Sequence, residues 1–286
     1  MSELRALVAE ELSQPVDPRV RAMATAIAAK HGTASRALFF YGSCLRQSQL
    51  EGLMLDFYLI VSDYRSAYDK SWLAAANRLI PPNVFYFEHA GLVSKYAVLS
   101  EADFHRLNGP ETSNFSVWAR FAQPSRLVWV ADEAARERAI DAVCRAAPTL
   151  LAAARPDPGE EPLLLWRRAF ALTYSAELRA ERSARASSVV DLEPGRYEQF
   201  TAPALDAAAT MRPHGSWAKR RIEGKSLTIL RLAKASLTFA GGAEYIAWKI
   251  NRHAGTNIEL RPWQRRHPLL AGLSLLPRLL KSGAVR

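Results

Sequence analysis

Apolar positions near the N-terminus, such as Leu7, Val20, Met23 and Ile27, recur at helical spacing among charged residues, and Pro15 and Pro18 interrupt them. The spacing predicts a broken helix over roughly 3–31. Three short apolar runs then follow, Ala37 to Tyr41, Leu53 to Val61 and Val84 to Phe87, with a fourth at Lys95 to Leu99. Their length and content predict buried strands. Between the second and third, Ser66 to Leu79 is patterned as a helix and ended by Pro81-Pro82. From Glu111 onward the pattern turns helical. Asp132 predicts an N-cap for a helix over Glu133 to Ala146, and further helices are predicted over Leu163 to Arg185 and Tyr197 to Thr210. Arg155 to Gly159 and Arg212 to Ser216 read as breaks, and Lys225 to Phe239 and Glu244 to His253 as basic helices with apolar faces. The order predicts an α+β protein. We expect a sheet-and-helix domain over 1–130, a mainly helical domain over 131–215 and a basic amphipathic C-terminal region over 216–286.

Composition narrows the class. A hydrophobic fraction of 49% and a charged fraction of 23% are those of a folded globular chain. Cys44 and Cys144 are the two cysteines, which excludes a disulfide framework and a paired-cysteine zinc site. Neither a secretory signal nor a membrane span is expected, since even Leu269 to Leu280 contains Pro277 and Arg278. The expected location is the cytoplasmic or organelle-matrix side, with any membrane contact peripheral. The net charge of +10 is concentrated: Trp217 to Arg286 holds fourteen Lys and Arg against three acids, leaving 24 basic and 25 acidic residues before it. Such a block predicts an anionic partner.

The candidate chemistry begins at Tyr41-Gly42-Ser43, where a predicted strand ends, and continues at Asp56, thirteen positions after the serine. Gly42 would let backbone approach a phosphate group, and Ser43 would donate a hydroxyl hydrogen bond to it. Asp56 would bind Mg²⁺, which prefers carboxylate and phosphate oxygens. A second acid two positions on would share one strand face with Asp56, but that position is Tyr58. The arrangement resembles that of DNA polymerase β-type nucleotidyltransferases. The bland alternative is a tight turn followed by a strand aspartate.

A longer series of segments is similar to the mitochondrial-type phosphatidate cytidylyltransferases, the translocator assembly and maintenance protein family. The segments are Tyr41-Gly42-Ser43, Met54-Leu55-Asp56-Phe57, Asn83 to Phe87, Lys95 to Val98, Trp118 to Pro124, Leu172 to Arg179 and Lys234 to Gly241, in the family's order. The resemblance implies a nucleotidyltransferase that makes CDP-diacylglycerol and pyrophosphate from CTP and phosphatidic acid with Mg²⁺. It implies Asp56 and Glu177 as catalytic carboxylates, Asp56 also as the metal ligand, and Gly42, Ser43, Lys95, Arg120 and Arg179 as residues that hold phosphate charge. The chain departs from the family at Glu177, where the family has Asp, at Gln123 in place of Lys, and at Ala97 and Ala176 in place of Gly.

Each residue also has a plainer role. Lys95 could guard a sheet edge, and Arg120 could pair with a surface acid. Glu88 and Asp63 rank below Asp56 and Glu177 as strand-end caps, and His89, His105 and His253 read as structural. In the C-terminal region, Lys225, Arg231, Lys234, Lys249 and Arg252 interleave with Leu227, Leu230, Leu237, Tyr245, Ile246 and Trp248. That pattern suits an anionic membrane surface, while packing on the core is the plainer alternative and nucleic acid the less favoured one. Two other functions stay open: transfer to a different lipid-phosphate, sugar-phosphate or RNA acceptor, and a catalytically degenerate nucleotide-binding scaffold.

Overall fold

The computed structural model describes residues 2–47, 49–176 and 189–238, together with Asn251, Glu259, Arg261 and Pro262. The first apolar stretch forms two helices, α1 (Ser2–Ser13) and α2 (Pro18–Lys30). They are separate because Pro18 opens α2 and the Asp17 carboxylate caps it, accepting the Arg19 amide at 2.8 Å.

Five strands form one mixed sheet in the order β3-β4-β2-β1-β5. They are β1 (Ser35–Tyr41), β2 (Met54–Val61), β3 (Asn83–His89), β4 (Leu92–Ser100) and β5 (Ser125–Val130). β2 and β4 run parallel, and the other neighbours are antiparallel. The α+β class is as expected, with three corrections to its elements. β5 falls where the sequence pattern predicts only helix: Pro124 stops the preceding helix, and Val128, Trp129 and Val130 favour a strand against β1. The helix expected over 66–79 is two, α3 (Tyr64–Ala67) and α4 (Ser71–Leu79), parted by an extended Tyr68. The helix expected from Lys225 begins at Trp217 and runs to Thr238. That expected over Glu244 to His253 lies almost wholly outside the described residues.

Strand alternation sorts side chains onto two faces. Phe40, Phe57, Leu59 and Val98 meet α2 and α4 on one face. On the other, Phe39, Tyr41, Tyr58, Ile60 and Leu99 join a larger core with α1, α5 (Glu101–Asn108), α6 (Trp118–Phe121), α7 (Glu133–Cys144), α8 (Ala146–Ala154), α9 (Pro162–Ala176) and the helix Pro194–Ala208. Inside this layer Glu11 and Arg196 form an ion pair with side chains only 9% and 10% exposed. Arg196 also donates to the Ala122 carbonyl at 3.1 Å, just beyond α6.

The long helix Trp217–Thr238 crosses this layer and reaches β3. Gly224 sits so close to α9 that a Cβ would lie 2.4 Å from the Ala176 carbonyl oxygen. Further on, Arg231 donates to the Pro81 carbonyl at 2.9 Å and the Ser116 hydroxyl at 3.0 Å. Lys234 donates to the carbonyls of Ile80 and, at 2.8 Å, Pro82. Burial and the nearby Arg231 charge push the Lys234 amine down to about 7. Among the described residues no helix is long and apolar enough to cross a membrane.

Two stability predictions follow from these buried charges. Arg196→Met strands Glu11 in the core and should cost about 3 to 5 kcal/mol in urea unfolding, with most of the loss recovered in Glu11→Leu/Arg196→Met. Between pH about 7 and the ordinary lysine value of 10.5, the unfolded chain keeps a Lys234 proton that the folded chain has released. Stability from this residue therefore rises with pH across that window. Measured against Lys234→Met, the wild type should gain stability from roughly pH 7 to roughly pH 10, and a pH-independent difference would contradict the shift.

Candidate active site

β1 ends at Tyr41, and the chain turns at Gly42 with φ 91° and ψ −165°, a region open to glycine and strained for other residues. A 3-10 turn, Ser43–Arg46, follows and leaves Ser43 exposed. The turn lies against the Asp56 carboxylate: a Cβ on Gly42 would stand 3.2 Å from Asp56 Oδ2. Glycine suits this position for its conformation, and a Cβ would also press on the carboxylate by a few tenths of an ångström.

Sheet register places the rest. Asp56 on β2 is opposite Tyr41 on β1 and Lys95 on β4, and Lys95 is opposite Tyr86 on β3. Lys95 Nζ is 3.0 Å from Asp56 Oδ1, with side-chain exposures of 27% and 20% for the lysine and the aspartate. The pair is desolvated enough to hold its geometry and open enough to meet a ligand. Arg120, on α6, places its guanidinium carbon 4.8 Å from the Tyr41 ring centroid. Gly42, Asp56, Lys95 and Arg120 are thus gathered at one end of the sheet, with Ser43 at its rim.

Other expectations resolve differently. Tyr58 shares the Asp56 face but is buried, its ring 5.3 Å from both Tyr41 and Phe121. It is a packing residue, so the strand supplies one carboxylate only. Gln123 donates its side-chain amide to the Ala119 carbonyl at 2.9 Å and closes α6. Asp63 caps α3, accepting the Arg65 and Ser66 amides at 2.8 and 3.0 Å. His105 accepts from Arg145 at 2.6 Å, and His89 stacks on Phe87. Glu177 and Arg179 lie outside the described residues, as does His253. The described chain reaches Ala176 at the end of α9, which packs into the core on the Asp56 face.

The structure places Glu88, ranked low from the sequence, and adds charged residues that sequence spacing hides. Glu88 alternates with Val84 and Tyr86 on β3, so it shares the Asp56 face, and it accepts the Tyr86 hydroxyl. Arg46, from the turn after Gly42, pairs with Glu193 at 2.7 Å, immediately before the helix Pro194–Ala208. These partners are 147 positions apart, and no local pattern links them. Arg126 on β5 feels the same group: burial first, then Arg196 and Arg46, push its guanidinium below its ordinary value, against the pull of Glu11 and Glu193. Three arginines and two glutamates therefore back the glycine-serine turn with one net positive charge.

Among the described residues no cluster of three or more His, Cys, Asp or Glu could hold a metal ion. A cavity of about 540 Å³ lies elsewhere, at the other end of the same sheet face, between Ala37, Ile60, Phe104, Ala139 and the Glu101–Arg138 ion pair.

Among solved structures, the chain is similar to a nucleotidyltransferase-like protein from Exiguobacterium sibiricum, at 11% identity over 92% of each chain and a TM-score of 0.30. A superposition that loose establishes neither a shared fold nor a shared activity. No protein-family model matches the chain, and no curated protein does.

Gly42 offers a direct check of the geometry. Gly42→Ala should destabilise the fold by about 1 to 3 kcal/mol in thermal or urea unfolding, because it combines a strained backbone with a contact on Asp56. Gly32→Ala, also at positive φ but with nothing within 4 Å of the new Cβ, should cost less. Equal losses would remove the Asp56 contact from the explanation.

Proposed function

We propose that this chain is a nucleotidyltransferase, and within that class a CTP:phosphatidate cytidylyltransferase forming CDP-diacylglycerol and pyrophosphate. The observation that carries the reading is the charged pair Asp56 and Lys95 lying in register beside the Gly42-Ser43 turn. The ordered resemblance of Tyr41 to Gly241 to the phosphatidate cytidylyltransferases supplies the nucleotide and the acceptor.

In this reading a phosphate oxygen of phosphatidic acid attacks the α-phosphorus of CTP, and the bond to the bridging oxygen of pyrophosphate breaks. The nucleophile is already anionic, so positioning and charge neutralisation carry the catalysis. Gly42 leaves the backbone bare for the triphosphate, and Ser43 donates its hydroxyl to a phosphate oxygen. Lys95 and Arg120 offset phosphate charge, aided by the net positive charge behind the turn. Asp56, whose Oδ2 lies on the Gly42 side of its carboxylate, would be the residue to hold a Mg²⁺. When bound, the ion neutralises charge on the triphosphate and the leaving pyrophosphate. Glu177 and Arg179 are proposed to complete the site as second carboxylate and phosphate ligand, and residues 216–286 to hold the enzyme at an anionic membrane.

Tyr58 favours a second reading, because an aromatic ring fills the position of a second strand carboxylate. In that reading the chain binds nucleotide without turning it over.

Pyrophosphate release from CTP, Mg²⁺ and phosphatidic acid in mixed micelles tests both. Wild-type turnover is expected, with Asp56→Asn at background and Lys95→Met lowered roughly 100-fold or more, both variants being folded by circular dichroism. Nucleotide-dependent thermal stabilisation without pyrophosphate would select the second reading. Turnover unchanged in Asp56→Asn would remove the aspartate from the mechanism.

A further inference from the structure

Sheet register extends the candidate site toward one edge. From β1 to the edge strand β3, Tyr41, Asp56, Lys95 and Tyr86 lie in one row on one face, each opposite the next. The neighbouring row, at the end of the sheet where β2 begins, is Met54, Val93 and Glu88, which share that face by alternation. Deeper in the sheet, Tyr58 and Ala97 are buried in the helix-covered core, whereas Met54, Val93 and Tyr86 are half-buried and Glu88 is exposed. The face therefore opens into an apolar shelf that reaches from Asp56 to the edge strand, away from β1.

The shelf carries one carboxylate. Glu88 accepts the Tyr86 hydroxyl through Oε1, which fastens it beside the ring and leaves Oε2 able to accept from another donor. Burial first, then the Glu88 hydrogen bond, push the Tyr86 hydroxyl up to about 12, so it remains the donor of the pair. An anionic phosphate is repelled from such a spot, and an apolar ring with an amino group at its edge is not. Neighbouring strands are about 4.8 Å apart, which sets Tyr86 about 10 Å from Asp56 across β4. A ribose and its base cover that span.

We propose that this shelf seats the nucleoside, with Tyr86 as the ring on which the base stacks and Glu88 as the acceptor for an exocyclic amino group at the base's edge. The proposal rests on the nucleotidyltransferase reading above and gives the bound nucleotide a direction. The triphosphate tail lies at the Gly42-Ser43 turn, the α-phosphate at Asp56 and Lys95, and the base at the edge strand. A glutamate carboxylate accepts from N4 of cytosine. Uracil has a carbonyl oxygen in that place, which meets the carboxylate as one acceptor meets another. The shelf therefore selects CTP over UTP, through residues that touch no reacting atom.

Calorimetric titration of the whole chain with CTP and with UTP, each with Mg²⁺ and without lipid, tests the shelf. Wild type should bind CTP about 10- to 100-fold more tightly than UTP. Glu88→Gln, at an exposed position, should lower that preference about tenfold, because an amide serves either base edge. Tyr86→Leu should weaken both nucleotides about tenfold through lost stacking. Tyr86→Phe keeps the ring and releases Glu88, so it should lower the preference and leave UTP binding unchanged; with Glu88→Gln it decides the matter if the leucine variant melts early. In turnover with phosphatidic acid, the loss in Glu88→Gln should fall on KM for CTP rather than on kcat. Equal wild-type affinities for CTP and UTP, or an unchanged preference in Glu88→Gln, overturn the proposal. A CTP preference that Glu88→Gln removes, without pyrophosphate release, would remove the reading of the activity alone. Pyrophosphate release from CTP and UTP at equal kcat/KM would remove the shelf alone, and binding of neither nucleotide would remove both.

Discussion

The buried ion pair between Glu11 and Arg196 is the constraint on which the candidate site depends. A guanidinium out of water must have its donors satisfied, and Arg196 does so with a carboxylate from α1 and a carbonyl just after α6. Three segments distant in sequence are thereby fixed to one another. α6 carries Arg120, and three residues before Arg196 on its own segment Glu193 holds Arg46 of the turn that follows Gly42. One short stretch, Glu193 to Arg196, thus steadies both the arginine that leans on Tyr41 and the turn that leans on Asp56. Exposed pairs such as Arg46 with Glu193 contribute little to stability by themselves. Their value here is positional, and it is inherited from the buried pair next to them.

The sequence made the sheet legible wherever a strand is buried on both faces. Ala37 to Tyr41 and Leu53 to Val61 are continuous apolar runs, and both appear within two residues of their expected ends. It failed at β5, an edge strand with Arg126 in it and a helix signal on either side. The Gly42, Ser43 and Asp56 arrangement was readable because turn geometry and metal chemistry both constrain residue type locally. Lys95 joined it only through resemblance, since its proximity to Asp56 comes from a parallel register that spacing along the chain does not encode. Arg46 and Glu193 are hidden for the same reason: each finds its partner in a distant part of the chain.

The basic helix shows a different limit. Its charge and apolar interleaving are plain in the sequence, but three of its cations turn inward: Arg220 binds the carbonyls of His214 and Gly215, and Arg231 and Lys234 bind those of residues 80–82. A count of positive charge therefore overstates what the surface presents.

The parallel pairing of β2 with β4 has a further consequence. Lys95 faces Asp56, while its neighbour Tyr96 points through the sheet to the opposite side, where its hydroxyl meets His31 Nε2 at 3.1 Å. His31 Nδ1 donates to the Ala67 carbonyl, which leaves Nε2 to accept from Tyr96, and burial pushes the pKa of the ring down. A slip of β4 by one residue would exchange lysine for an aromatic beside the carboxylate and expel Tyr96 from its seat. The sign of charge on the working face of the sheet is therefore guarded by an imidazole on the reverse face, a residue no ligand need ever touch.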